Sequence, residues 1–224
     1  MNKKCYFIII IALLIGAVFY FYLMKYEDEN KVYTAEDFPQ ALEKMEQEVL
    51  DLSLEDLNNQ YQKLKEGDEH VYIRWINIGI LKKRLEDYRG AEDAWQSAIS
   101  YNPEQSLAFG NLADLYLFDL KEIEKAEEYY KTVLTMDPYN YNNFIGLATL
   151  YRYEMTEKAN LIEDLMNDAI GFNPGESQNY YLYLANYFAD GPENNGGNNI
   201  EKAGLYTQKT LEIDSSLKDQ LPEL

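Results

Sequence analysis

The sequence has almost none of the residues from which disulfides, metal sites and common catalytic centres are built. Among its 224 residues there is one cysteine, Cys5, and one histidine, His70. A single cysteine cannot form an intramolecular disulfide or a cysteine-based metal site. His70 has no nucleophile at a meaningful spacing, and the sequence contains no glycine-rich phosphate-binding loop. We therefore expect a protein that is not an enzyme and that holds no cofactor or metal.

Basic residues are also scarce, because 20 lysines and arginines stand against 39 aspartates and glutamates and give a net charge of −19. Proteins that bind nucleic acid normally present a basic face that neutralises phosphates. This composition excludes nucleic acid as the expected partner. The simplest explanation of the acidity is that it keeps the protein soluble.

Residues 5–24 form a stretch without any charged residue. Twenty helical residues span about 30 Å, which matches the hydrocarbon core of a bilayer. We therefore predict that residues 1–26 are an N-terminal transmembrane anchor. The alternative is a cleaved signal peptide, which needs a shorter apolar stretch and a cleavage site of small residues. Gly16 and Ala17 are the only candidates for such a site, and bulky residues follow them.

The charges on the two sides of this stretch predict its orientation. Lys3 and Lys4 precede it, whereas Lys25 and then the acidic residues 27–29 follow it. Positively charged flanks of a membrane helix stay on the cytoplasmic side. We expect a single-pass protein of the cell membrane with a cytoplasmic N-terminus and with the bulk of the chain on the outer side.

Residues 27–70 are predicted to be an acidic helical linker. They contain 14 acidic and 4 basic residues. Their apolar residues recur at helical spacing, which predicts two helices with a break near Leu52 or Ser53. The apolar face of the first helix is expected at Leu42, Met45, Val49 and Leu52, and that of the second at Leu54, Leu57, Tyr61 and Leu64.

After the linker, a pattern of an aromatic residue, an aliphatic residue three positions later and a small residue next to it occurs four times. The four sets are Trp75, Ile78, Gly79; Phe109, Leu112, Ala113; Phe144, Leu147, Ala148; and Tyr181, Leu184, Ala185. Residues three and four apart share one face of a helix, so each set predicts a helix that packs closely on a neighbour. Pro103, Pro138 and Pro174 follow with separations of 35 and 36 residues and end a helix each time.

A second stripe completes the first unit, with Ala91, Trp95 and Ala98 ahead of Pro103. Helix–turn–helix units of this composition, about 34 residues long, resemble the tetratricopeptide repeat family. The resemblance covers about residues 72–215 in four units. It weakens at Lys82, where an aromatic is usual, and in the third unit, where Ile162 and Met166 replace an alanine and an aromatic.

The resemblance implies an all-α fold, a helical-hairpin solenoid of about four repeats preceded by the transmembrane helix. The predicted domains are the anchor 1–26, the linker 27–70, the repeats 71–215 and a C-terminal tail 216–224. In this family the first helix of each unit lines a concave surface that binds a peptide or helix of a partner protein. The residues expected on that surface are Ile76, Ile80, Lys83, Arg84, Gly110, Asp114, Leu117, Phe118, Ile145, Thr149, Arg152, Tyr153, Leu182 and Asn186.

The three cations of this set, Lys83, Arg84 and Arg152, indicate a preference for an acidic group on the partner. The alternative is that they pair with acidic neighbours on the protein's own surface. The function predicted from these features is a membrane-tethered protein–protein interaction module or scaffold. The competing hypothesis is a self-associating structural element that organises a membrane complex. Formation of a homo-oligomer is compatible with both hypotheses.

Overall fold

The computed structural model of the chain describes residues 31–190 and 199–224. Every element of regular secondary structure in these two ranges is helical, which confirms the predicted all-α class. None of the helices in the described ranges has the length and apolar character needed to cross a membrane. The predicted anchor, residues 1–26, lies outside the described residues.

The α-helices are numbered in chain order. They are α1 Pro39–Lys44, α2 Gln47–Lys65, α3 Val71–Arg84, α4 Tyr88–Tyr101, α5 Leu107–Asp114, α6 Ile123–Met136, α7 Tyr141–Tyr153, α8 Ile162–Phe172, α9 Ser177–Asp190 and α10 Ile200–Ile213. Helix α5 continues as a π-helical segment, Leu115–Leu120. Short 3-10 helices occupy Ala35–Asp37, Thr156–Leu161, Pro174–Glu176 and Ser215–Gln220.

The described residues divide into two compact units, with the boundary between Ala94 and Trp95. Helix α4 runs across this boundary. The core of the first unit is built on a stripe of α2 whose members are four, three and four residues apart, as one face of a helix requires. The stripe is Leu50, Leu54, Leu57 and Tyr61. The core also includes Ile78, Leu81 and Leu85 from α3 and its end, Tyr33, Phe38 and Ala41 from the segment before α2, and Ala94 from α4.

The helix break that we predicted near Leu52 or Ser53 is wrong, because α2 runs through both residues. Ser53 does not begin a helix, since its Oγ donates a hydrogen bond to the backbone oxygen of Val49 at 2.8 Å within α2. The break lies instead at Met45, whose backbone is extended. Three residues of the predicted first stripe are consequently solvated, since Leu42, Val49 and Leu52 are 44%, 44% and 56% exposed. Met45, the fourth, is partly buried and packs against the core of this unit.

Lys82 occupies the position at which the repeat usually has an aromatic residue. The first compact unit provides partners for its buried ammonium group. The side chain is buried, its Nζ lies 5.1 Å from the centre of the Tyr33 ring, and Asp87 Oδ2 is 3.3 Å away. A desolvated ammonium needs such partners, because burying an unpaired charge is costly. Tyr33 thus supplies the aromatic ring that the repeat position lacks.

In the second unit, each helix from α5 to α10 packs against the next one along the chain, as expected for a helical repeat array. The small and aliphatic positions of the repeat pattern form its core. Leu112, Ala113, Leu147, Ala148, Leu184 and Ala185 are all 3% exposed or less.

Helices α6 and α7 approach closely at Gly146. A Cβ at this position would lie 2.3 Å from Cε1 of Tyr130, a ring that is fully buried. The Tyr130 hydroxyl donates a hydrogen bond of 2.5 Å to Asp114 Oδ1 at the end of α5. Tyr130 therefore joins three consecutive helices through one side chain.

Two glutamates, one on α6 and one on α8, form hydrogen bonds and ion pairs that connect further helices of the second unit. Glu127 on α6 accepts hydrogen bonds from Tyr151 on α7 at 3.0 Å and from Lys158 at 2.6 Å. Glu163 on α8 pairs with Lys202 of α10 and accepts a hydrogen bond of 2.6 Å from the Tyr206 hydroxyl. Both carboxylates are partly buried and multiply bonded, so they hold the helices at fixed separations.

Candidate partner-binding surface

The four residues predicted on α3 belong to the first unit and differ in exposure. Ile80 is 43% exposed, Arg84 is exposed and Lys83 is half-buried. Ile76 is only 3% exposed and shares a buried face with Tyr72, four residues before it. Ile76 therefore offers no side-chain surface to a partner in this structure.

The residues predicted on α5 are affected by the π-helical segment. Phe118 is 51% exposed, as the prediction requires, but Leu117 is 2% exposed and belongs to the core. A π-helical turn contains more residues than an α-helical one, so positions beyond Leu115 are rotated relative to regular helical spacing. Asp114 is exposed and is already bonded to the Tyr130 hydroxyl.

Helix α7 presents the most complete part of the predicted surface. Ile145, Thr149 and Arg152 lie on one face because they are four and three residues apart, and all three are half-buried. Tyr153 follows them and is 61% exposed. Next to this face, Asn143 on α7 approaches α5, since a Cβ at Gly110 would lie 3.1 Å from its Oδ1.

The guanidinium of Arg152 is held between two tyrosine rings. Its Cζ lies 5.1 Å from the centre of the Tyr153 ring and 5.5 Å from that of Tyr187 on α9. Its Nε is buried without a hydrogen-bond partner among the described residues. Stacking on aromatic faces fixes the plane of an arginine without using its hydrogen-bond donors.

A second unsatisfied polar group lies on α9 near Arg152. The Tyr183 hydroxyl is buried and has no hydrogen-bond partner among the described residues, and its ring stacks on Tyr187 at an interplanar angle of 7°. Burial raises the pKa of Tyr183, while the positive charge of Arg152 acts in the opposite direction. The hydroxyl is therefore a neutral hydrogen-bond donor at physiological pH.

The remaining two predicted residues also lie on α9. Leu182 and Asn186 are half-buried. The Asn186 side-chain nitrogen donates to the backbone oxygen of Leu182 at 3.0 Å and to that of Gln220 at 3.3 Å. The tail after α10 thus contacts this end of the surface.

Arg152 differs in its partners from three lysines of the second unit. Lys131 and Lys158 both pair with Glu127, and Lys202 pairs with Glu163. Arg152 makes no ion pair with any residue of the described ranges. Internal pairing, which was the alternative explanation of the cations, therefore does not account for Arg152.

The sequence alone did not identify Tyr187 as a neighbour of Arg152. Tyr183 and Tyr187 are four residues apart and lie on one face of α9, a spacing that could have indicated them. Their position across from α7 depends on how the two helices pack. In the described ranges, no group of three or more histidine, cysteine, aspartate or glutamate residues is arranged to hold a metal ion.

A family model of the tetratricopeptide repeat matches residues 107–140, which contain α5, its π-helical continuation and α6. No curated protein sequence matches the chain. The family match supports the resemblance seen in the sequence and suggests a protein–protein interaction module.

Proposed function

We propose that the chain is a membrane-tethered protein–protein interaction module, and that the surface around Arg152 binds an acidic segment of a partner protein. The tether is residues 5–24, and the repeats lie on the outer side of the membrane. The observation that carries the binding proposal is that the Arg152 guanidinium is held in a fixed orientation without an ion-pair partner in the described ranges. Its guanidinium is oriented by Tyr153 and Tyr187 and is not neutralised by any described residue.

A carboxylate fits this site because arginine presents its donors in a planar fork that matches the two oxygens of a carboxylate. Tyr153 and Phe118 add exposed aromatic area on α7 and on the continuation of α5. Exposed aromatic residues beside a charged anchor are typical of interaction surfaces. In a chain of net charge −19, an unpaired cation gives selectivity for acidic segments.

Site-specific crosslinking in cells tests this proposal. A photoreactive amino acid replaces Tyr153 or Phe118 in the full-length chain, and the crosslinked proteins are identified by mass spectrometry. We expect Arg152→Glu to abolish these crosslinks, because it replaces attraction to a carboxylate by repulsion. Lys65→Glu makes the same charge change at an exposed site on α2 and should leave the crosslinks in place. Unchanged crosslinks in the Arg152→Glu protein would show that this surface is not where partners bind.

The second candidate function is self-association, and exposed apolar residues on α10 favour it. Ile200, Leu205 and Ile213 are 55%, 48% and 52% exposed. Light scattering on the full-length chain in nanodiscs distinguishes the two functions. A self-associating element has the mass of a dimer or larger assembly, and Leu205→Lys reduces that mass to the monomer.

A further inference from the structure

The second unit carries an apolar groove on a different face of α7 from the one that presents Arg152. The groove has a volume of about 650 Å³ and lies between α6 and α8. Its floor is formed by Phe144, Leu147 and Tyr151, which are three and four residues apart on α7. A space of this size is large enough for several apolar side chains.

The groove coincides with the place where the repeat pattern departs from the tetratricopeptide composition. Helix α8 carries Ile162 and Met166 where the pattern has an alanine and an aromatic, and both side chains are fully buried. Isoleucine keeps two helices further apart than alanine does.

Apolar side chains at the edge of the groove remain in contact with water. Leu161 is 41% exposed and Phe172 is 49% exposed, and they lie at the two ends of α8. A ligand that covered them would remove apolar surface from water, which favours binding. Scattered exposed apolar residues are normal on a protein, but these two border one continuous groove.

The charges at the rim are unbalanced. Asp164 and Asp168 line the groove four residues apart on α8, and neither pairs with a cation of the described ranges. Like charges at this spacing repel each other and destabilise the helix. On the opposite side, Lys131 is engaged by Glu127, with Nζ 2.7 Å from Oε1. The rim therefore offers two free negative charges and no free positive charge.

We propose that this groove binds an amphipathic helix of a partner protein, with two or three apolar side chains on one face and lysine or arginine beside them. A helix placed between α6 and α8 presents residues i, i+3 or i+4 and i+7 to the floor, as in other helix-in-groove complexes. Basic residues at its edge neutralise Asp164 and Asp168. A second copy of this chain is disfavoured in this groove, because an acidic chain would bring further negative charge to Asp164 and Asp168.

A selection experiment tests the groove directly. A phage library of 16-residue helical peptides with randomised face and flank positions is selected on the full-length chain in nanodiscs of zwitterionic lipid. The selected peptides are then synthesised, and their affinities are measured by fluorescence anisotropy. We expect apolar residues at i, i+4 and i+7 with lysine or arginine on the flank, and photocrosslinking from position Thr135 at the groove should capture them.

Charge reversal supplies the specific readout. Asp164→Lys with Asp168→Lys should weaken binding about tenfold, because two exposed attractions become two repulsions. A peptide with glutamate in place of the flanking lysines should recover that loss on the double variant. Glu55→Lys with Asp56→Lys, exposed on α2, makes the same change in net charge and should have no effect.

Three results would overturn the proposal: selected peptides without helical apolar spacing, selected peptides with acidic flanks, or equal affinity for the wild-type and charge-reversed chains. Failure to select any peptide also counts against it, since the library covers the proposed ligand class. Arg152→Glu must leave these affinities unchanged, which separates the groove from the surface around Arg152.

Discussion

Replacing Glu127 by glutamine should destabilise the second unit at neutral pH and have little effect in acid. Desolvation alone would raise the pKa of Glu127, but hydrogen bonds from Lys131, Lys158 and Tyr151 outweigh it and lower the pKa from 4.5 to about 2. The Glu127 side chain is only 12% exposed, so solvent screens these bonds weakly.

The magnitude follows from the difference between the two pKa values. Each pH unit of difference between the folded and unfolded states corresponds to about 1.36 kcal/mol, so a pKa of about 2 against 4.5 gives about 3 kcal/mol. The folded pKa is the lower one, so this stability is fully present above pH 4.5. It is lost as the pH falls from 4.5 towards 2, because the carboxylate becomes protonated.

Urea unfolding followed by circular dichroism at a series of pH values measures this contribution. The difference in unfolding free energy between wild type and Glu127→Gln should be about 3 kcal/mol at pH 7 and should shrink steadily below pH 4.5. Glu128→Gln, at an exposed neighbouring position without an ion pair in the described ranges, should change stability by less than about 0.5 kcal/mol. The reasoning is refuted if the two variants behave alike, or if the effect of Glu127→Gln is the same at pH 3 as at pH 7.

Three further predictions concern packing, a second carboxylate and the anchor. Gly146→Ala should lower the unfolding free energy by about 1–2 kcal/mol although alanine has the better helix propensity, because the new Cβ meets the buried Tyr130 ring. A Cβ at Gly171 on α8 meets nothing within 4 Å, so Gly171→Ala should raise the unfolding free energy by about 0.5–1 kcal/mol. Thermal unfolding of the two variants measures both changes. The pKa of Glu163 is lowered because hydrogen bonds from its partners outweigh desolvation, so Glu163→Gln should also lose its destabilising effect in acid, as urea unfolding at pH 7 and pH 3 would show. Deleting residues 1–26 should move the protein from the carbonate-resistant membrane fraction to the supernatant, and a deletion that leaves it in the membrane would disprove the tether.

The sequence predicted the fold well because the repeat pattern has redundant signals. Small and aliphatic residues at fixed spacing, such as Leu147 and Ala148, recur in four repeats. Each of these positions in the second compact unit is buried. An error in one repeat does not change the prediction for the other repeats. The helix break near Ser53 had no such support, and a hydroxyl that can cap a helix can equally bond within one.

The candidate surface was predicted less well because it depends on the exact rotation of each helix. Leu117 was placed on it by regular α-helical spacing, which fails where the π-helical segment begins at Leu115. Tyr187 became a neighbour of Arg152 only through packing between α7 and α9. Neither a local irregularity nor a contact between helices is contained in the periodicity of a single helix.

Helix α7 explains how one repeat can offer two separate surfaces. Phe144 and Leu147 face the apolar groove, whereas Ile145 and Arg152 lie on the face of the candidate acidic-segment site. The departures from the repeat pattern in this unit fall on α8 and leave α7 with its full complement of packing residues. A change confined to the second helix of a unit can therefore open a groove on one side without disturbing the surface on the other.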